Sequence, residues 1–95
     1  MILQLERVIS SRKAERPKGS YTTYLFDAGQ DKILKKIAEE AGEVIIASKN
    51  NSHDELVYEV ADLVYHLLVL LQFHDVSWND IETELKRRHQ PSNAR

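Results

Sequence analysis

Hydrophobic positions along this chain recur at helical spacing in four stretches and alternate at strand spacing in none. Ile2, Leu5, Val8 and Ile9 predict a first helix from about Ile2 to about Ala14, stopped by Pro17 and Gly19. A second pattern runs to about Lys49, with Ile33, Leu34, Ile37, Ala38, Ala41, Val44 and Ile45 on one arc of a wheel turning about 100° per residue. Asp27 and Gln30 have capping-box spacing at its start. Asn50-Asn51 suits a left-handed stop, and Ser52 with Glu55 offers a second box. The third helix, about Ser52 to His74, carries Leu56, Val60, Leu63, Val64, Leu67 and Leu71 on one face. Tyr58, Tyr65, Val69 and Phe73 lie on or near the opposite side, so this helix is expected to be buried nearly all round, with Tyr58, Tyr65 and Val69 the candidates to face a partner copy. Ser77 and Asp80 predict a short fourth helix with Trp78, Ile81 and Leu85 inward, ending on Lys86-Arg87-Arg88-His89, which complements the helix dipole. The pattern predicts an all-α antiparallel bundle of about four helices in one domain spanning residues 1–95, with Pro91 to Arg95 a frayed tail.

Glu15 to Asp27 fits none of these patterns. It holds Pro17, Lys18, Gly19, Ser20 and Thr22-Thr23 with Tyr21, Tyr24, Leu25 and Phe26 interleaved. It reads as a loop pinned to the core by its aromatics, or as a substrate loop offering Ser20, Tyr21, Thr22 and a lysine to phosphates. In mid-helix, Gly42 costs about 1 kcal/mol against alanine, which suggests close approach of another backbone there.

The polar residues on the two central helices carry the chemistry. Glu40 and Glu43 stand three apart on the second helix, and Glu59 and Asp62 three apart on the third. That spacing makes each pair neighbours on one helix face. The third helix has almost no other polar surface: Glu55, Glu59, Asp62 and His66 form its one polar stripe. Laid antiparallel, the two helices bring four carboxylates together. Two carboxylates about 6 Å apart repel by roughly 3 kcal/mol at an effective dielectric of 20, so a hard cation is expected among them. All-oxygen ligands suit Mg²⁺, with Mn²⁺ as the alternative. Lys36 lies one turn before Glu40 along the same edge of the apolar arc and is the best-placed phosphate contact. Arg87 and Arg88 are further candidates for that role. His66, one turn past Asp62, can orient an acid, touch substrate, or be a hydrogen-bonded core histidine. Glu39 falls further round, beside Ile46, and Glu39 and Glu55 also read as ordinary surface or capping acids.

Composition narrows the class. A formal net charge of −2 gives no attraction to nucleic acid or an anionic membrane. The chain has no cysteine, which excludes disulfides, zinc thiolates and thiol nucleophiles. The first residues acquire charge too early for a signal peptide, and the longest apolar run, Leu67 to Leu71, is too short to span a bilayer. A cytoplasmic protein is expected.

Glu39-Glu40-Ala41-Gly42-Glu43 followed by Glu59-Val60-Ala61-Asp62 resembles the E-E-x-x-E … E-x-x-D signature of the all-α, MazG-like nucleoside triphosphate pyrophosphohydrolases. Ser20-Tyr21-Thr22-Thr23-Tyr24-Leu25-Phe26, Lys35-Lys36-Ile37-Ala38-Glu39-Glu40 and the run from Asp62-Leu63-Val64-Tyr65-His66 to Leu71 are closer still to the phosphoribosyl-ATP pyrophosphohydrolases of histidine biosynthesis. The resemblance covers about Leu3 to Arg88 with no departure at the acidic positions. It implies hydrolysis of phosphoribosyl-ATP to phosphoribosyl-AMP and pyrophosphate, the second step of that pathway. It also implies Glu40, Glu43, Glu59 and Asp62 as Mg²⁺ ligands, and Glu39 as an acid that helps hold a metal or activate water. Lys36 would bind phosphate. The family further implies a homodimer, and the stand-alone form without the cyclohydrolase domain that some members carry. The nearest alternative is a house-cleaning hydrolase of other nucleoside triphosphates. A di-iron carboxylate bundle would need Glu-x-x-His motifs, and Glu59-x-x-Asp62 supplies no histidine. A helical interaction module without activity is the remaining alternative.

Overall fold

A computed structural model describes residues 1–90, so the tail at 91–95 lies outside the described residues. Five helices follow one another: α1 (Ile2–Glu15), α2 (Tyr21–Ala28), α3 (Gln30–Lys49), α4 (His53–Phe73) and α5 (Trp78–Arg88). No strand occurs among the described residues. The long hairpin of α3 and α4 is the spine of the molecule. Only three residues join the two helices, Asn51 takes the left-handed conformation (φ 54°), and the Ser52 hydroxyl caps α4 by accepting from the Glu55 amide. Glu40 meets Asp62 while Glu43 meets Glu59. The index rises on one helix as it falls on the other, so the pair is antiparallel.

The segment expected to be a loop contains a helix. Ser20 is its N-cap and accepts from the Thr23 amide, and Leu25 and Phe26 sink into the core beside Ile9, Ile33, Leu68 and Val69. This also overturns the capping box read at Asp27. Asp27 lies within α2 and pairs with Arg16 at 2.5 Å, while α3 starts after Gly29, whose φ of 99° makes the corner between the helices. At α5 the expected box is present, with Ser77 and Asp80 satisfying each other's amides, and Glu6 of α1 accepts from the Trp78 amide at 2.6 Å. Trp78 packs on the core, but Leu85 is exposed rather than inward.

Two further expectations reverse. Nothing stands within 4 Å of the position a Cβ would take on Gly42, so no backbone approaches it within the protomer. Gly42→Ala should therefore raise stability by about 1 kcal/mol through helix propensity alone. A thermal melt that moves down instead would mean that a second chain fills that space. On α4, Val69 is fully buried and Tyr65 packs against the protomer's own core, so neither faces outward as expected. Of that trio only Tyr58 is exposed; the outward apolar stripe is Val57, Val60 and Leu67, joined by Leu34, Ile45 and Ile46 of α3. A helix that is apolar all round gives no moment to say which side turns inward.

Too little of the molecule is covered for its size. Its accessible surface is 6715 Å², against about 5,600 Å² expected for a compact monomer of 11.0 kDa. Its radius of gyration is 15.2 Å, against about 12 Å for a compact chain of this length.

Candidate carboxylate site

Four carboxylates face one another across the α3–α4 hairpin, and Glu40 joins them. One oxygen each from Glu40, Glu43 and Glu59 lie within 4.8 Å of one another, and Glu40, Asp62 and His66 make a second group within the same limit. The wheel put Glu40 at the edge of the apolar arc. In the fold it is on the inward face, 3% exposed, two turns from buried Ala47. Leu34 and Ile45, counted within that arc, are instead exposed.

The acids are only partly compensated. Lys36 approaches Glu40 Oε1 at 3.4 Å, but Glu40 Oε2 and Glu59 Oε2 are buried without any hydrogen-bond partner. Such orphaned oxygens are costly unless a cation joins them. Burial, then the neighbouring Asp62, pushes the Glu40 carboxyl above its ordinary range, outweighing Lys36. Glu59 does the same to Glu43. Burial opposes the charge on Lys36, yet Tyr21, Glu40 and Glu39 outweigh it and raise its pKa. Four ionisable oxygen donors, two with unsatisfied buried atoms, fit a hard dication of the magnesium or manganese type.

His66 stands behind these acids and does not join them as a free ligand. It is 2% exposed, its Nδ1 donates to the Asp62 carbonyl at 2.8 Å, and its Nε2 accepts from the Tyr21 hydroxyl at 2.8 Å. A carbonyl only accepts, so the ring proton is on Nδ1 and the phenol must be the donor. Burial first, then Asp62, Tyr65 and Glu40, raise the Tyr21 pKa against the pull of Lys36, which keeps that donor protonated.

The remaining expected residues scatter. Glu39 is exposed and belongs to neither carboxylate group, although it acts on Lys36. Ser20 serves as the α2 cap, and Thr22 is buried with its hydroxyl bonded to Tyr65. Arg88 is on α5, which packs on α1; Glu84 holds it at 3.0 Å and, paired with Arg87 and then Arg88, has its own pKa lowered to about 2. A cleft of about 900 Å³ opens beside Tyr21, lined among others by Arg16, Lys18, Ser20, Tyr24 and Asp27. The bonds from Tyr21 to His66 and from Thr22 to Tyr65 had no signal in the sequence, because each joins residues more than forty positions apart.

These features define a class: an all-helical protein that presents a cluster of carboxylates on a two-helix hairpin. The family model for phosphoribosyl-ATP pyrophosphohydrolase matches residues 2–89, and the chain belongs to that family. It is 60% identical over 90% of its length to the histidine biosynthesis bifunctional protein HisIE of Bacillus subtilis, spanning 41% of that protein. It is 56% identical to the phosphoribosyl-ATP pyrophosphatase of Pelotomaculum thermopropionicum, covering 95% of this chain and 92% of that one. The phosphoribosyl-ATP pyrophosphatase of Listeria welshimeri is 58% identical, over 93% and 84% respectively.

Proposed function

We propose that the chain hydrolyses phosphoribosyl-ATP to phosphoribosyl-AMP and pyrophosphate, consuming one water at the α–β phosphoanhydride. The observation that carries this reading is the pair of unsatisfied buried oxygens on Glu40 and Glu59 within a four-acid cluster, in a chain of this family. Glu40, Glu43, Glu59 and Asp62 would hold Mg²⁺, or Mn²⁺ in its place. A dication bound there supplies charge neutralisation for the triphosphate and holds it in position. Lys36, 29% exposed and directed at the cluster, contributes a positive charge at its rim. The Tyr21 cleft is open to the rest of the nucleotide, and Glu39, exposed beside Glu40 but outside both carboxylate groups, would activate water only as the family resemblance implies. Phosphoryl chemistry of this kind depends mainly on position and on charge, which these residues provide.

The reading implies a soluble, cytoplasmic homodimer. By length and composition α4 is apolar enough to cross a membrane, with a mean hydropathy of 1.5 in its most apolar window. Glu59 and Asp62 stand in its middle, facing the acids of α3, and favour a packed helix over a span.

The deciding experiment incubates the protein and Mg²⁺ with phosphoribosyl-ATP and, separately, with ordinary nucleoside triphosphates, following pyrophosphate release. Faster turnover of phosphoribosyl-ATP is expected; equal or faster turnover of common triphosphates would favour a house-cleaning role. In the same assay Lys36→Ala should raise the substrate concentration for half-maximal rate roughly tenfold, the value of one charged hydrogen bond of about 1.5 kcal/mol. An unchanged concentration dependence would remove Lys36 from the site.

A further inference from the structure

His66 is the one buried titratable group at the site that the proposed chemistry leaves without a task, and its surroundings are built. Its ring is wedged edge-on between Tyr21, 5.8 Å away between centroids, and Tyr65, 5.5 Å away. Tyr65 is tied in turn to Thr22, so α2 grips the ring from both sides. Both nitrogens are committed: Nε2 to the Tyr21 hydroxyl, and Nδ1 to the Asp62 carbonyl at 2.8 Å with Asp62 Oδ1 at 3.5 Å. The Nδ1 proton therefore goes to the backbone carbonyl of a residue whose carboxylate faces the cluster, and the near oxygen of that carboxylate lies 3.5 Å from the same nitrogen.

We propose that Tyr21 and His66 are positioning residues that orient Asp62 for the metal, Tyr21 acting only through His66. This deepens the proposed function and rests on its metal site. The phenol donates to Nε2, leaving Nδ1 as the ring's only donor. That donor anchors the ring to the Asp62 carbonyl, and the anchored ring in turn limits where the Asp62 carboxylate, 3.5 Å away, can turn. Outer hydrogen-bond partners of metal ligands typically contribute roughly 10- to 100-fold in metal affinity. His66 itself stays off the metal, since ligation would break one of its two bonds.

The test is a double-mutant cycle read by magnesium calorimetry on the intact chain without substrate. His66→Leu removes the donor and should weaken Mg²⁺ binding roughly 10- to 100-fold. His66→Asn keeps an N–H near the Nδ1 position and should recover most of that loss. Tyr21→Phe, which preserves ring packing, should weaken Mg²⁺ several-fold in the wild-type background and not at all in His66→Asn. Nitrogen NMR of wild-type His66 should show the Nδ1–H tautomer with and without Mg²⁺, and circular dichroism checks the fold of each variant. An Nε2–H tautomer, a Tyr21→Phe effect that persists in His66→Asn, or an unchanged Mg²⁺ affinity in Tyr21→Phe or His66→Leu would overturn the proposal. So would a wild type that binds no Mg²⁺, which defeats the metal site too. Absent turnover with the Mg²⁺ and tautomer results intact would defeat only the assigned reaction.

Discussion

Asp62→Asn and Glu40→Gln should each abolish turnover, by on the order of 100-fold or more, while leaving the metal-free protein as stable as the wild type or more stable. The two halves of that result have one cause. With carboxylate oxygens within 4.8 Å of one another, the acids repel, most strongly where Glu40 is buried. Lys36 offsets part of this at Glu40 Oε1, and Glu40 Oε2 and Glu59 Oε2 have no partner. Removing one charge relieves the metal-free fold and disables the loaded one. If each acid were instead an ordinary structural ion pair, its amide would leave a cation unpaired and lower the melting temperature. Magnesium at about 100 times its dissociation constant should stabilise the wild type by about 2.7 kcal/mol, or roughly 10 °C or more in a domain this small, and Asp62→Asn much less.

The pH dependence follows from the direction of the Glu40 shift. Its folded pKa is raised above the ordinary 4.5, so between those values the folded state holds the proton more tightly than the unfolded. Without metal, this stability is present below about 4.5 and lost as pH rises through the raised value. Glu40→Gln should flatten that decline. A metal-free wild type that gains stability across the same window, with Glu40→Gln melting lower and still turning over, would defeat the metal-site reading.

Val60→Lys should convert the proposed homodimer into a monomer. Val57, Val60 and Leu67 form a stripe along α4, Val57 and Val60 being 56% and 40% exposed, and Ile45 and Ile46 of α3 are more exposed still. Fully burying one such side chain stabilises by about 1.5–3 kcal/mol. In a two-fold dimer each substitution counts twice, so about 3–6 kcal/mol is lost, roughly 10²- to 10⁴-fold in dissociation constant. Tyr65→Phe is the control, since that ring faces its own core. Sedimentation at micromolar concentration checks this, and a monomeric wild type with its fold intact would sink it.

Helix content, the α3–α4 hairpin and the pairing of four acids were legible in the sequence because each depends on short-range periodicity. Glu40 with Glu43 and Glu59 with Asp62 share a face wherever their helices go, and a three-residue link leaves little choice but an antiparallel partner. Ser52 and Ser77 declared their caps for the same local reason. Short-range pattern failed where one local motif had two uses: Asp27-Ala28-Gly29-Gln30 has cap spacing, yet its first half closes α2. The helix α2 itself escaped notice because eight residues are too few to show a period. The tertiary structure alone decided which side of each helix turns inward. A wheel gives angles between side chains of one helix and not the neighbour they meet. Glu40 therefore passed for an edge residue until α4 closed over it, and Val69 and Tyr65 for partner contacts until the core built by α1, α2 and α3 claimed their side. The bonds that commit His66 have the same origin: Tyr21 reaches it across 45 positions, and only the docking of α2 sets that distance.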